Sequence, residues 1–157
     1  MIVAEGGIML ARDLAEQYPV VDLESDAFAA ARLLAQRRLP GLIVNGDDGR
    51  PWTILPGSQV LRFVVPGYVQ DDPALARVFD ERHADELFRR LASRRVRELL
   101  PAQPHELATV KADDTAIEVA ALMARLRSPL VVVLDGNELV GVITVSRLLS
   151  MLLPDAP

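Results

Sequence analysis

The sequence contains no cysteine and only two histidines among its 157 residues. The lack of cysteine excludes disulfides, thiolate metal sites and a cysteine nucleophile. His83 and His105 stand apart, without partners at metal-ligand spacing. We therefore expect no metal site.

The chain also lacks the marks of membrane insertion and secretion. No apolar run approaches the length that spans a bilayer. The N-terminus has no basic region, and Glu5 interrupts its apolar stretch, so no secretory signal is indicated. We expect a cytoplasmic protein that makes no membrane contact.

Catalytic signatures are missing as well. Asp47-Asp48 and Asp113-Asp114 suit turns and helix caps rather than a spaced acid–base pair. No serine lies in a nucleophile-elbow motif. The sequence therefore favours a protein that is not an enzyme.

The net charge of −5 argues against broad, non-specific nucleic-acid binding. A local exception is residues 89–97, where five arginines occur in nine residues without an acid. The run fits an anion patch for nucleotide phosphates or nucleic acid. It also fits a solvated helix face balanced by nearby acids, which we favour. Those acids are Asp80, Glu81, Asp85 and Glu86.

What the chain does have is enough apolar residues, 50%, for one core or two small halves that share one. It also repeats itself. Residues 20–44 align without a gap on residues 109–133, so that Val21 meets Val110 and Pro40 meets Pro129. Each copy begins with a short strand and continues into a helix.

The helix of each copy has a predicted cap and a predicted buried face. Ser25 and Asp114 are the predicted N-caps. Leu39-Pro40 and Ser128-Pro129 end the two helices. The spacing of apolar residues predicts a buried face in each helix. Its members are Phe28, Ala31 and Ala35 in the first copy, and Ile117, Ala120, Ala121 and Ala124 in the second.

A hairpin and a closing helix complete each copy. The turns Asn45–Gly49 and Asp135–Asn137 contain residues that suit hairpins. The remaining elements are predicted in pairs: strands at 42–44 and 130–134, strands at 52–55 and 139–144, and helices at 58–65 and 146–153. Each half is thus an α/β unit of order β-α-β-β-α, and the two halves should pack together. Between them Asp72-Pro73 predicts a helix start, within one interrupted helix or two short ones.

This tandem pattern resembles a pair of cystathionine-β-synthase (CBS) domains, the Bateman module. The family closes each repeat with glycine, two apolar residues, threonine or serine, two variable residues, aspartate and two apolar residues. Gly141–Leu149, GVITVSRLL, matches at every position except the aspartate, and Thr53–Leu61 keeps the apolar frame. The resemblance implies a CBS domain at 11–66, a helical connector at 67–94 and a second CBS domain at 95–154, with pseudo-two-fold symmetry between the repeats.

The resemblance also implies two clefts, each with a motif from one repeat and a wall from the other. Many family members bind AMP, ADP, ATP or S-adenosylmethionine there, with the aspartate on the ribose hydroxyls. The residues carried onto one cleft are Thr144, Ser146 and Arg147, with Tyr18, Leu39 and Pro40 opposite. Those carried onto the other are Pro56, Ser58 and Gln59, with Ser128 and Pro129 opposite.

Neither motif has the aspartate. Arg147 can only donate hydrogen bonds, and Gln59 accepts more weakly than a carboxylate because it is uncharged. Arg147 suits a phosphate, or else a solvated or dimer-contact position. Thr144 also suits a helix cap, and Gln59 a surface position on its helix.

Two hypotheses follow. The leading one is a non-catalytic regulatory module that forms a homodimer and senses an adenine nucleotide or related ligand. The alternative is a structural CBS pair, used for dimerisation, that has lost ligand binding. A nucleic-acid-binding protein that uses the arginine run is a third interpretation.

Overall fold

A computed structural model describes residues 7–156 of the chain. It is an α/β structure with two three-stranded sheets, β1-β2-β3 and β4-β5-β6. In chain order the elements are α1 (Ala11–Leu14), β1 (Val20–Asp22), α2 (Ala27–Arg37), β2 (Gly41–Asn45), β3 (Pro51–Pro56), α3 (Gly57–Val64), α4 (Gly67–Asp71), α5 (Glu81–Phe88), α6 (Val96–Leu99), β4 (Thr109–Lys111), α7 (Ala116–Leu126), β5 (Leu130–Asp135), β6 (Glu138–Thr144) and α8 (Val145–Leu152).

The chain divides into two compact units. The first-sheet unit is Pro19–Glu106, and the second-sheet unit combines residues 1–18 with 107–157, of which 7–18 and 107–156 are described. In residues 7–156, no helix combines the length and the apolarity needed to cross a bilayer.

The two sheets have the same topology. In each, the first strand runs parallel to the second, and the second pairs antiparallel with the third. Both hairpins also shift register at the same place, between Val44 and Asn45 and between Val133 and Leu134. The repeated β-α-β-β-α order that the sequence predicts is confirmed.

The middle strands form the two cores. Four consecutive residues are buried in β2 and four in β5. Such unbroken apolar runs are typical of strands covered on both faces. The first core also contains Leu34 and Val60 from α2 and α3, and the second contains Met123 and Leu148 from α7 and α8.

The predicted caps of α2 and α7 are wrong by one residue. Asp26 accepts a hydrogen bond from the Ala29 amide, and Thr115 accepts one from the Glu118 amide. Ser25 instead accepts from the Asp22 amide, at 2.9 Å, within the preceding turn. Asp114 does the same for the Lys111 amide, at 2.8 Å.

The predicted buried faces of these helices are wrong by the same shift of one residue. Phe28 is 39% exposed and Ile117 is 69% exposed. Ala35, Ala121 and Ala124 are also exposed, and Ala31 and Ala120 are half-buried. The buried residues are Ala27, Ala30 and Leu34 in α2, and Ala116, Val119 and Met123 in α7.

A short leading helix precedes each copy in the sequence, α1 before the first and α6 before the second. Each leading helix packs beside the sheet of the other copy. The amides of Ala11 and Arg12 in α1 donate to the carbonyls of Asp114 and Ala112, beside the second sheet. The amides of α6 make the corresponding bonds beside the first sheet. Val96 donates to Ser25, and Arg97 donates to Leu23.

The leading helices also supply core residues. Leu14 of α1 is fully buried in the second core, and Leu99 of α6 is 1% exposed in the first. The compact units therefore differ from the sequence ranges 11–66, 67–94 and 95–154. Those boundaries stay a prediction about the repeats.

The connector contains more pieces than predicted. It comprises α4, a 3₁₀ helix at Pro73–Val78, α5 and a 3₁₀ turn at Arg89–Leu91. Asp72 caps the first 3₁₀ helix by accepting from the Ala74 amide, and Pro73 occupies its first turn, so this predicted helix start is confirmed.

Most of the arginine run has contacts within the first-sheet unit. Arg90 donates to the Val64 carbonyl at 3.2 Å, and the Arg90 and Arg94 guanidinium groups lie over the Phe63 ring at 5.7 and 6.0 Å. Arg97 pairs with Glu24 and Asp47 at 2.7 and 2.8 Å.

Arg94 and Arg95 of the run each make one further polar contact. Arg94 pairs with Glu98 at 3.0 Å, and Arg95 donates to the Glu24 carbonyl at 3.3 Å. The acids that contact the run are therefore Glu24, Asp47 and Glu98 rather than Asp80, Glu81, Asp85 and Glu86, because α6 folds back onto the first sheet.

Candidate functional site

The motif turn of the second-sheet unit joins β6 to α8. Thr144 is the N-cap of α8, and its Oγ1 accepts a hydrogen bond from the Arg147 amide at 3.2 Å. The predicted capping role of Thr144 is confirmed. Ser146 is exposed, and its Oγ lies 3.4 Å from the Thr144 Oγ1.

Gly141 of this motif is required by a close approach of the chain. Glu16 and Val142 exchange both backbone hydrogen bonds, each at 2.9 Å. This pairing brings the Glu16 carbonyl against Gly141, where an added Cβ would lie 2.6 Å from the oxygen. Only glycine fits without a shift of the backbone.

The Arg147 side chain has a partner inside its own unit. Its Nε donates to the Leu14 carbonyl at 3.3 Å and lies 3.7 Å from the Glu16 carboxylate. The side chain is 26% exposed. Arg147 thus contacts the carbonyl at the end of α1, and its interpretation as a solvated or dimer-contact arginine stays a prediction.

The motif turn of the first-sheet unit joins β3 to α3. Pro56 is the N-cap of α3 and gives no side-chain cap, unlike Thr144. Gln59 is the residue of this motif that corresponds to Arg147 in the other. It is half-buried, and its Nε2 donates a hydrogen bond to the Leu99 carbonyl at 3.0 Å. Gln59 is therefore a partly exposed residue of its helix that also bonds to the end of α6.

Thr53 occupies the position that corresponds to Gly141. It is 1% exposed, and its Oγ1 donates to the His105 carbonyl at 2.6 Å. Thr53 also forms an isolated bridge with Glu106. These contacts hold the segment that follows α6 against β3.

A cavity of about 470 Å³ lies at this turn, entirely within the first-sheet unit. It is lined by residues of β3 and α3 on one side (Thr53, Ile54, Pro56, Gln59 and Arg62) and by Pro101–His105 on the other. Of the residues predicted for this motif, Pro56 and Gln59 line the cavity, and Ser58 is exposed at the start of α3.

Arg62 and the segment Pro101–His105 were not among the predicted site residues. Arg62 follows Gln59 by one helical turn, so the two lie on the same face of α3. The segment carries a weak signal in the sequence, since it follows a quartet, Val96–Leu99, that corresponds to Ala11–Leu14. The loop after the quartet is longer in the second copy, which hides the correspondence from an ungapped comparison.

The predicted wall residues occupy corresponding places in the two units. The Pro40 carbonyl accepts from the Gly57 amide at the start of α3, and the Pro129 carbonyl accepts from the Val145 amide at the start of α8. Ser128 donates to the Leu130 carbonyl at 2.6 Å.

The predicted wall residues also contact other parts of their own units. Ser128 and Pro129 also line a mainly apolar cavity of about 410 Å³ that includes Val145 and Leu148. Leu39 packs against the first core, and Tyr18 is half-buried in the second-sheet unit. The predicted pairing of these walls with the motif of the other repeat stays a prediction.

Two further cavities lie near the hairpin turns and contain acids. One of about 450 Å³ in the second-sheet unit includes Arg12, Asp113 and Asp135. One of about 390 Å³ in the first-sheet unit includes Asp47 and Arg97. Hydrogen bonds to Asp47 and Glu24 raise the pKa of Arg97, so its charge is already matched.

In the part of the chain that the structure describes, no three His, Asp or Glu side chains are grouped so that they could hold a metal ion. His83 instead lies 2.7 Å from the Asp80 carboxylate at the start of α5. Hydrogen bonds from His83, first of all from its backbone amide, lower the pKa of Asp80.

Comparison with known proteins identifies the family. The family model for the CBS domain matches residues 96–154. A crystal structure of a CBS domain-containing protein of unknown function from Kribbella flavida DSM 17836 is 60% identical, with a TM-score of 0.83 over 90% of this chain and 97% of that one. A search of functionally curated proteins found no match.

More distant structures share the fold. The CBS domain of a membrane protein from Sphaerobacter thermophilus is 20% identical, with a TM-score of 0.69 over 93% of this chain and 89% of that one. CBSX2 in complex with AMP is 16% identical, with a TM-score of 0.62 over 90% and 94%. The match to the Kribbella protein, together with the family-model match, shows that the chain belongs to the family of CBS-domain-containing proteins.

Proposed function

We propose that the chain is a non-catalytic regulatory module that binds an adenosine-containing ligand, AMP, ADP, ATP or S-adenosylmethionine. The observation that carries this proposal is the cavity beside the first motif turn. Its volume, about 470 Å³, lies in the range of small-molecule sites, roughly 300–1,000 Å³.

The chemistry of the cavity suits a nucleotide. Ile54, Pro56, Pro101 and Pro104 provide apolar surface on which a purine can pack. Polar groups of Gln59, Gln103 and His105 lie among them, a mixture typical of ligand sites in which a few polar groups fix orientation.

Gln59 is the residue that we assign to the ribose. Its Nε2 is occupied by the Leu99 carbonyl, which leaves its Oε1 as the acceptor for a ribose hydroxyl. In the second motif, Arg147 has no acceptor to offer and is already bonded to the Leu14 carbonyl. The first motif is therefore the better candidate of the two.

The related structure of CBSX2 in complex with AMP supports the proposal at the level of the fold. A regulatory module would act by a shift in populations, because a ligand stabilises whichever arrangement of the protein binds it better. We further propose that the module works as a homodimer.

The proposal is tested by titration calorimetry and thermal melting with AMP, ADP, ATP and S-adenosylmethionine. A ligand at one hundred times its Kd should stabilise the fold by about 2.7 kcal/mol, which raises Tm by several degrees. Ala102→Trp should fill the cavity and abolish the shift, whereas Ala92→Trp, at an exposed position outside the lining, should preserve it. If none of the four ligands binds, the sensing function is refuted.

A second candidate function is a structural pair that no longer binds ligands. It is favoured by the matched use of Gln59 and Arg147, which each donate to the carbonyl at the end of a leading helix. In that case both motif positions hold α6 and α1 in place. Substitution of either residue would then change stability, and the wild-type protein would show no ligand-dependent shift in Tm.

A further inference from the structure

The cavity beside the first motif turn differs in charge from the rest of the molecule. The chain carries a net charge of −5, and the two cavities near the hairpin turns both contain aspartates. The residues that line this cavity include no acid, and they include Arg62 and His105. An anionic group entering it would therefore meet no lining carboxylate.

Arg62 is a cation that forms no ion pair among the described residues. Within residues 7–156, its guanidinium makes no hydrogen bond or ion pair, in contrast to Arg90, Arg94 and Arg97, which all have partners. Its backbone carbonyl accepts a hydrogen bond from the Gln70 side chain at 3.0 Å, and the residue as a whole is exposed.

The position of Arg62 relates it to the residue that we assign to the ribose. Gln59 and Arg62 are separated by one turn of α3 and both line the cavity. A ligand whose ribose contacts Gln59 would have its 5′ substituent within the same cavity. A guanidinium can bind a phosphate through two parallel hydrogen bonds, which makes it a strong and selective phosphate partner.

We infer that Arg62 determines specificity in this cavity by binding the phosphate of a nucleoside phosphate. This inference rests on the proposed function and narrows its ligand class. Phosphate-bearing nucleotides are bound in preference to the uncharged nucleoside. S-adenosylmethionine has a net positive charge, because its sulfonium and ammonium groups outweigh its carboxylate, and it is therefore disfavoured beside Arg62.

The test compares AMP, adenosine and S-adenosylmethionine by titration calorimetry on four proteins. These are the wild type, Arg62→Gln, Arg62→Lys and, as the matched control, Arg89→Gln. Arg89 is exposed in the same unit and lies outside the cavity, so its variant carries the same change in charge.

For the wild type we expect AMP to bind about tenfold or more tightly than adenosine, with a preference that weakens as salt is added. Arg62→Gln should reduce AMP affinity to that of adenosine and leave adenosine binding unchanged. Arg62→Lys should restore part of the preference, since it keeps the charge and loses the paired geometry. Arg89→Gln should behave as the wild type.

The possible failures are distinguishable. If adenosine binds the wild type as tightly as AMP, or if Arg62→Gln binds AMP like the wild type, the role of Arg62 is refuted while nucleotide binding stands. If S-adenosylmethionine is the preferred ligand, the inference is also refuted. If no ligand binds the wild type, the proposed function fails and the inference fails with it.

Discussion

Gly141→Ala tests whether the motif glycine is required by the approach of the chain at Glu16. An added Cβ would lie 2.6 Å from the Glu16 carbonyl oxygen and 3.1 Å from the Ala15 Cβ. The obstructing oxygen belongs to the backbone, so no side-chain rotation can relieve the contact. Either β6 or the segment around Glu16 must move.

The cost can be estimated in two ways. Overpacking of this kind typically costs about 1–3 kcal/mol. If the segment moves away instead, the two backbone hydrogen bonds between Glu16 and Val142 are lost, at about 1 kcal/mol each. Both routes predict destabilisation of about 1–3 kcal/mol, which lowers Tm by roughly 2–10 °C in a chain of this size.

Urea unfolding monitored by far-UV circular dichroism measures the change as a shift in midpoint at constant slope. Gly57→Ala is the matched control, because no atom lies within 4 Å of its added Cβ. It should be neutral or slightly stabilising in the first turn of α3. A Gly141→Ala protein as stable as Gly57→Ala would refute the steric argument.

Two further predictions concern caps. Thr144→Val removes the acceptor of the Arg147 amide and should cost about 1 kcal/mol in urea unfolding, whereas Thr144→Ser should cost much less; equal losses would contradict the capping role. The Glu98 carboxylate accepts hydrogen bonds from the Arg95 amide and from Arg94, and these bonds, the first above all, lower the pKa of Glu98 below its ordinary value of 4.5. The ionised carboxylate therefore stabilises the fold above the ordinary pKa, and this stabilisation is lost as the pH falls through the lowered pKa. Glu98→Gln should therefore lower Tm at pH 7 and converge with the wild type near the acid end, and a pH-independent difference would contradict this linkage.

The repeat and its strands could be predicted because they depend on local signals. Apolar runs such as Leu130–Leu134, turn residues and helix-ending prolines each constrain a few adjacent residues, and the two copies reinforce each other. The cap residues could not be predicted from the sequence, for a physical reason. Ser25 and Asp26 are adjacent and both have side-chain acceptors, so sequence alone does not decide which one caps the helix and which one stabilises the turn.

The exchange of α1 and α6 could not be predicted from local signals. A helix of four residues is too short to be stable alone, so its position depends on tertiary contacts. Those contacts join residues far apart in the chain, such as Arg12 with Ala112 and Arg97 with Leu23. The cavity was missed for the same reason, because one of its walls is the segment that follows α6.

The exchange of α1 and α6 gives the two motif turns the same structural task. In both units the residue in place of the family's aspartate bonds to the last carbonyl of a leading helix, so each substitution has a structural use. Glutamine can donate to that carbonyl and still accept from a ligand, whereas arginine can only donate. This difference supports the proposal that a ligand binds beside Gln59, where Arg62 adds a cation, rather than at the turn of Arg147.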